Sequence, residues 1–175
     1  MNAIQCPKCK EGVMEISKTI YDLPDKDKML LLKIECNKCH YIIKDIIPLT
    51  TKTEPGISQL KITNEKDLKS KVYRSPTAKI EIPELELEAE PGPAAPFYLT
   101  NIEGILNRFE KAVISYKNSL AADNLETKDI DVILENIKKA YDGNFSFTLK
   151  IIDQHGGSYI IPEDKSKYNF IKSDS

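Results

Sequence analysis

The sequence lacks tryptophan and has only two histidines and seven glycines among its 175 residues. So few glycines leave no room for a glycine-rich phosphate-binding loop. His155 lies near Asp153, but no nucleophile is evident beside this pair, which is weak ground for catalysis. No apolar run approaches the roughly 18 residues of a membrane span. We therefore expect no signal peptide and no membrane anchor, and a soluble, cytoplasmic protein that is not an enzyme.

The charge pattern also lacks an excess of one sign. The net charge is -2, and the charged residues, 30% of the chain, are mixed in sign. A protein that binds nucleic acid through its backbone phosphates normally presents a basic field, and none is evident here. Nucleic acid is therefore not an expected partner. It stays the alternative because Lys8, Lys10 and Lys38 flank the cysteines described next.

All four cysteines lie in two pairs, Cys6-Pro-Lys-Cys9 and Cys36-Asn-Lys-Cys39. Two thiolates separated by two residues on a tight knuckle can both lie about 2.3 Å from one zinc ion, and two knuckles complete a tetrahedron. A thioredoxin-like dithiol is the competing interpretation, but no βαβ pattern surrounds either pair. The sequence predicts one structural Zn²⁺ held by Cys6, Cys9, Cys36 and Cys39, with no open position for catalysis. His40 is an alternative ligand.

Residues 1–50 are predicted to form the four-cysteine zinc-finger module. Apolar residues in segments 12–20 and 29–34 predict two strands of a hairpin, and segment 41–47 predicts a third strand that ends at Pro48. Three short strands bury little apolar surface, so the metal is expected to supply much of the stability. The polar segment 50–56 ends in Pro-Gly and is the expected domain boundary.

Residues 56–162 are predicted to form a β-domain. Leu60 and Ile62 alternate with polar residues, and segment 78–90 alternates with a phase change at Pro83, where we expect a bulge, bend or sheet edge. The alternation would place Glu84, Glu86, Glu88 and Glu90 on one side of a strand. These glutamates form either the solvated face of an edge strand or an acidic stripe for a partner, with Glu84, Glu86 and Glu88 as the candidate contacts.

A helical hairpin is predicted within this domain, at about residues 100–141. Thr100-Asn-Ile-Glu103 fits a capping box, and apolar spacings of three and four continue through Leu120. A connection at 121–126 precedes a second helix that ends near Tyr141. Strand alternation then resumes at 145–151, and 158–161 is expected to pair back as a hairpin. Residues 163–175 are expected to be a flexible tail.

Five further segments, taken in order, carry a resemblance to a known family. The cysteine pairs are followed by Asp67-Leu-Lys-Ser-Lys-Val-Tyr-Arg-Ser75 and Ala78-Lys-Ile-Glu-Ile-Pro-Glu-Leu85, then by Glu90-Pro-Gly92, Thr100-Asn-Ile-Glu-Gly-Ile-Leu106 and the 147–158 segment with its Asp-Gly turn. This ordered set resembles the ZPR-type zinc-finger family over nearly the whole chain. The family usually has glycine after the second cysteine of each pair, where a tight knuckle favours a positive φ. Lys10 and His40 stand at those positions here.

The resemblance implies an α+β, mainly β fold. A four-cysteine zinc finger would be followed by a double-stranded β-helix-like domain with an inserted antiparallel helical hairpin. It implies a single-copy, archaeal-like member, whereas eukaryotic members carry the finger and β-domain twice. It also implies a partner, translation elongation factor one-alpha, for which the chain would serve as an adaptor or chaperone. The alternative is a zinc-ribbon nucleic-acid-binding protein in transcription or translation.

Overall fold

The computed structural model of the chain describes residues 4–23, 26–49, 54–120 and 126–173. Its contacts group the chain into two units, Met1–Lys52 and Thr53–Ser175. Parts of two predicted segments, the boundary at 50–56 and the helix connection at 121–126, lie outside the described residues. No helix in the described part of the chain is long and apolar enough to span a membrane.

The first unit is built on a three-stranded antiparallel sheet. Its strands are β1 (Met14–Asp22), β2 (Lys28–Cys36) and β3 (Ile42–Pro48), with β2 in the centre. The three strands predicted from the apolar segments are therefore confirmed. The register pairs Met14 with Cys36, so the central strand ends at the second cysteine pair.

In its described residues, the second unit has two antiparallel sheets and two α-helices. The elements, in chain order, are β4 (Gly56–Ile62), β5 (Lys71–Arg74), β6 (Lys79–Ile82), β7 (Leu87–Ala89), β8 (Tyr98–Asn101), α1 (Ile102–Ser119), α2 (Glu126–Tyr141), β9 (Phe147–Asp153), β10 (Tyr159–Ile161) and β11 (Tyr168–Lys172). One sheet has the order β11-β4-β9-β6-β7 and the other has the order β10-β5-β8. The mainly β, α+β class is confirmed.

Alternation of apolar and polar residues positions the core of this unit. Along β9, every second side chain is buried, and Phe147, Leu149 and Ile151 are each at most 1% exposed. The helices contribute one apolar face each, which includes Leu106 of α1 and Ile137 of α2. These positions follow the two-residue period of strands and the 3.6-residue period of helices.

The two helices form an antiparallel hairpin, as the sequence indicates. The hydroxyl of Tyr116 donates to Glu126 at one end of the pair, and the hydroxyl of Tyr141 donates to Glu110 at the other. The helix start differs from the prediction, because Asn101 and not Thr100 is the N-cap: its Oδ1 accepts from the Gly104 N–H at 2.8 Å. Thr100 still pairs with Val72 in the β5–β8 ladder, so the strand continues one residue further than the capping pattern implies.

The hairpin expected between β9 and residues 158–161 is wrong. Strand β10 pairs with β5, in the other sheet, with Tyr159 opposite Tyr73 and their rings stacked at 4.1 Å. Gly156 and Gly157 have φ values of 78° and 100°, and this left-handed backbone turns the chain away from β9. Ser158 then accepts a hydrogen bond from the Ser75 N–H at 2.8 Å, which holds the chain beside β5.

The flexible tail predicted for residues 163–175 is also wrong over most of its length. Strand β11 pairs with β4 along the edge of the five-stranded sheet, with Tyr168 opposite Leu60. The Tyr168 hydroxyl lies 3.1 Å from Ser58 Oγ, and Lys167 Nζ lies 2.7 Å from a carboxylate oxygen of Asp67. The tail therefore supplies an edge strand and an ion pair to the fold.

Candidate metal centre

Two backbone knuckles present the cysteines. In the first, the Lys10 N–H donates to the Cys6 carbonyl at 2.9 Å, and in the second, the His40 N–H donates to the Cys36 carbonyl at 3.1 Å. Lys10 and His40 have φ values of 59° and 55°. The left-handed backbone expected at both positions is therefore present, although neither residue is glycine. This conformation disfavours side chains with a Cβ, so each knuckle stores a small strain.

The four cysteine sulfurs lie close enough together to share one ion. The Sγ atoms of Cys6 and Cys39 are 3.7 Å apart, and those of Cys9 and Cys36 are also 3.7 Å apart. All four Sγ atoms lie within 4.8 Å of one another. A tetrahedral ion with bonds of about 2.3 Å to sulfur requires sulfur–sulfur distances of about 3.75 Å. The cysteines predicted from the sequence are thus brought together with spacings that fit one metal ion.

Backbone amides point at two of the four sulfurs. The Gly12 N–H lies 3.3 Å from Cys9 Sγ, and the N–H groups of Lys38 and Cys39 each lie 3.4 Å from Cys36 Sγ. Hydrogen bonds from the backbone of Glu11 and then of Gly12 lower the pKa of Cys9 to about 6. A thiolate is the form that binds metal, so the amides at Cys9 prepare this ligand for a cation.

Two contacts that the sequence analysis did not identify hold the knuckles against each other. Asn37 Oδ1 accepts from the Val13 N–H, and the Asn37 N–H donates to the Val13 carbonyl, both at 3.1 Å. Gly12 packs so closely that a Cβ added there would lie 2.4 Å from Cys36 Sγ. Neither role has a local signal in the sequence, because each depends on how residues about 24 positions apart approach.

Two of the three lysines near the cysteines, and the histidine, have other partners. His40 Nδ1 lies 3.2 Å from Glu35 Oε1, and the metal-ligating group found among the described residues consists of the four cysteines. Lys38 forms an ion pair with Glu11, and Lys8 lies over the Tyr41 ring at 5.9 Å. These contacts leave fewer free cations to neutralise phosphates than the sequence suggests.

The candidate acidic stripe is not a regular strand face. Pro83–Leu85 forms a 3₁₀ turn, and Glu86 follows it with a φ of 54°, so the alternation expected across Glu84, Glu86 and Glu88 is broken. Glu84 accepts hydrogen bonds from the backbone N–H and the hydroxyl of Thr148, at 3.0 and 2.9 Å. Glu88 pairs with Lys79 at 2.9 Å. The bend expected at Pro83 is confirmed, and the single row of glutamates is wrong.

The donor set and its geometry limit what this centre can do. Four cysteine sulfurs close the coordination sphere of one tetrahedral ion, which leaves no position for a water or a substrate. Such a centre stabilises the chain around it and does not activate a nucleophile. The four cysteines can therefore hold a metal whose role is structural.

Comparison with known proteins agrees with this arrangement. Residues 66–173 match the family model described as the ZPR1 jelly-roll domain. An uncharacterised ZPR1-like protein of Methanocaldococcus jannaschii is 36% identical over 161 residues, which cover 91% of this chain and 80% of that protein. A similar protein of Pyrococcus horikoshii is 32% identical, over 90% of this chain and 72% of that protein. The zinc finger chaperone zpr1 of Schizosaccharomyces pombe is 26% identical, and the match covers 89% of this chain but 34% of that protein.

Proposed function

This chain belongs to the ZPR1 family, and we propose that it is a zinc-binding protein-interaction module that serves as an adaptor or chaperone for translation elongation factor one-alpha. The observation that carries the proposal is the cluster of four cysteine sulfurs, whose spacing fits one tetrahedral ion and would leave that ion no open position. Such a centre supports a surface, and the surface is what a partner would meet.

Zinc is the metal that this donor set fits best. Soft thiolates in a tetrahedral S₄ arrangement select zinc or iron, and tight two-residue knuckles are typical of structural zinc sites. Relatives named as zinc finger proteins occur in Caenorhabditis elegans and Drosophila melanogaster. Cys6, Cys9, Cys36 and Cys39 would be the four ligands of one ion.

A chaperone role is supported by the name of one relative, the zinc finger chaperone of Schizosaccharomyces pombe. The chain spans about a third of the length of that relative. We propose the elongation factor as the client from the family resemblance. Binding of the elongation factor is measured in its own experiment, apart from the zinc content.

The direct test is retention of purified elongation factor one-alpha by the immobilised, zinc-loaded chain. We expect saturable binding of the elongation factor and no binding of an unrelated GTPase. The Cys36→Ser variant, which removes one ligand, should lose binding together with its zinc. Equal retention of both GTPases by the wild-type chain would contradict the proposed client.

A second variant asks whether the acidic segment contacts the client. Glu86 is the most suitable of the three candidate glutamates, because it is exposed, whereas Glu84 and Glu88 bond to Thr148 and Lys79. We expect Glu86→Lys to weaken client binding without changing the zinc content. Glu15→Lys, an equal charge change at an exposed position of β1, is the matched control. Unchanged binding in Glu86→Lys would remove this segment from the proposed interface.

Nucleic-acid binding is the competing function, and the same preparation can test it. A phosphate-binding zinc ribbon would bind RNA or DNA at low salt, with an affinity that falls steeply as salt is raised. The partners of Lys8 and Lys38 argue against this outcome. Salt-sensitive binding of nucleic acid without binding of the elongation factor would favour the alternative.

A further inference from the structure

One face of the three-stranded sheet in the first unit is aliphatic. The register of β1, β2 and β3 places directly opposed residues on the same face in rows of three. Two rows consist of branched aliphatic residues: Ile16, Ile34 and Ile43 form one, and Ile20, Leu30 and Ile47 form the other. The row between them is Lys18, Leu32 and Asp45. We call these three rows the aliphatic face.

The aliphatic face is exposed. On the two outer strands, Ile16 is 49% exposed, Ile20 60%, Ile43 41% and Ile47 39%. An antiparallel sheet normally turns its aliphatic side chains towards a core, and clustered exposed aliphatic residues mark an interaction surface. The face also adjoins the metal centre, because the next row along the strands pairs Met14 with Cys36.

The charges on the aliphatic face are arranged to complement a second copy of the same face. Lys18 lies on one outer strand, Asp45 lies on the other, and Leu32 separates them on the central strand. We propose that two copies of this chain associate through their aliphatic faces, about a two-fold axis parallel to β2. That axis exchanges β1 with β3 across the interface, so Lys18 of each copy lies over Asp45 of the other. Leu32 lies over Leu32, and each outer isoleucine lies over an isoleucine.

The alternative face-to-face arrangement is disfavoured by the same charges. A two-fold axis perpendicular to the strands would place Lys18 over Lys18 and Asp45 over Asp45. Like charges opposed at an interface cost affinity, whereas opposite charges fix the register. The aliphatic rows alone would allow either arrangement. The middle row selects the one whose two-fold axis is parallel to β2, with the two sheets about 10 Å apart as in a β-sandwich.

The size of the aliphatic face sets the expected strength of the dimer. Three strands spaced by about 4.8 Å and three rows spaced by about 6.8 Å give a patch on the order of 300 Å² in projection. This is smaller than the roughly 800 Å² that each partner buries in a stable interface. The dimer is therefore weak, with a dissociation constant in the micromolar range or above, and its population depends on concentration.

Charge exchange gives a specific test. We measure sedimentation of the full-length, zinc-loaded chain from about 1 to 500 μM for the wild type, Lys18→Asp and Asp45→Lys. The wild type should show a concentration-dependent dimer. Each single variant opposes like charges at both contacts and should dimerise about tenfold more weakly or not at all. An equimolar mixture of the two variants opposes unlike charges at both contacts and should recover the dimer.

The control variant is Lys44→Asp, which makes the same charge change on the opposite face of the sheet, in the row Ser17, Lys33 and Lys44. It should dimerise as the wild type does. Zinc content and circular dichroism report whether each variant folds, so a folding failure is recognised separately. A wild type that stays monomeric at 500 μM overturns the proposal, as does a mixture of the two variants that forms no heterodimer. If the wild type is monomeric and the Lys18→Asp variant loses binding of the elongation factor, the aliphatic face contacts the client instead of a second copy.

Discussion

At the residue scale, the metal centre depends on a few residues whose backbone lies close to the cysteine sulfurs. Gly12 donates its N–H to Cys9 Sγ, and its Cα lies against the second knuckle. Lys10 and His40 hold left-handed backbone where the knuckles turn. These features involve no ligand, yet they fix where the ligands lie. Replacing a group that holds metal ligands in place typically lowers the metal affinity about 10–100-fold.

Gly12→Ala should weaken zinc binding. The new Cβ would lie 2.4 Å from Cys36 Sγ and 2.9 Å from the Lys38 Cβ, so the knuckles must move apart. We expect an affinity about 10–100-fold lower, by analogy with changes to groups that support metal ligands. Competition with a chromophoric chelator measures it. Gly92→Ala is the control, because nothing lies within 4 Å of a Cβ there, and it should leave the affinity unchanged. Equal affinities in the two variants would contradict the close approach at Gly12.

Lys10→Gly should stabilise the zinc-finger module. A left-handed backbone destabilises the folded state by about 1–2 kcal/mol when the residue has a Cβ, and glycine removes this cost. Glycine also stabilises the unfolded chain by about 0.5–1 kcal/mol through its larger conformational entropy, which reduces the gain. The expected net gain is therefore about 0.5–1 kcal/mol in the free energy of unfolding, measured by denaturant titration at saturating zinc. Lys10→Ala removes the same side chain but keeps the Cβ, so it should give no gain. A gain of equal size in both variants would show that the lysine side chain, and not its φ of 59°, is responsible.

The residues of the candidate site differ in how far the sequence predicts them. The four cysteines follow from residue type and spacing, because a tetrahedral thiolate site needs both. The left-handed φ of Lys10 and His40 is implied only by the family resemblance, through the glycine usual at those positions. Gly12 and Asn37 could not be found in this way, because their contacts join knuckles that lie far apart in the chain. Local patterns therefore identify the ligands but not the groups that hold the two knuckles together.

At the scale of elements, the C-terminal strand is attached to the second unit by β-pairing and by a partly buried ion pair. Lys167 Nζ lies 2.7 Å from the Asp67 carboxylate, whose side chain is 4% exposed. The Thr63 N–H and hydroxyl donate to the same carboxylate oxygen. Asp67 is thus a buried charge that depends on Lys167 for its neutralisation.

Lys167→Ala should destabilise the second unit by about 1–3 kcal/mol, since it leaves the buried Asp67 carboxylate without its cation. The control is Lys172→Ala. The side chains of Lys172 and its ion-pair partner Glu54 are 61% and 59% exposed, so this pair should contribute little to stability. Denaturant unfolding of both variants measures the difference. Equal stability of the two variants would mean that the buried pair does not attach the strand.

The same pair should make stability depend on pH in the acid range. Burial of Asp67 opposes its charged form, but the hydrogen bonds from Lys167 and Thr63 outweigh burial and lower its pKa. A folded-state pKa below the unfolded value of about 3.9 adds stability that is present above about pH 4. This stability is lost as the pH falls through the folded-state pKa. Acid titration of the free energy of unfolding should show a smaller loss in Lys167→Ala than in the wild type, and an identical loss would contradict this origin.

Two strands were predicted wrongly because the strands that they pair with are distant in the sequence, and one turn was mistaken for a strand. The β11 segment looks like a polar tail, and its pairing with β4 joins residues more than 100 positions apart, such as Tyr168 and Leu60. Strand β10 was expected to fold back on its neighbour but pairs with β5. At Pro83 the alternation of leucine and glutamate imitates a strand, although the backbone forms a 3₁₀ turn. Periodicity identified most strands and both helices, but it does not contain the register between distant strands.

At the scale of the whole molecule, the two units have different sources of stability. The second unit has its own core of buried aliphatic and aromatic residues, which includes Leu60, Ile82 and Leu149. The first unit has a small buried cluster at the metal centre, made of Cys6, Met14 and Cys36, and its aliphatic face is exposed. The free energy of metal binding, about 10–16 kcal/mol in zinc-finger peptides, is therefore expected to decide whether the first unit folds.

One zinc ion, held by the four cysteines, is expected to fold the first unit. Elemental analysis of the purified chain, with circular dichroism of the same samples, tests this expectation. We predict about one zinc per chain in the wild type, and loss of both the zinc and the strand signal of the first unit in Cys36→Ser and after chelation. The second unit should stay folded in both cases. A chain that holds no metal and yet keeps the first unit fully folded would contradict this expectation.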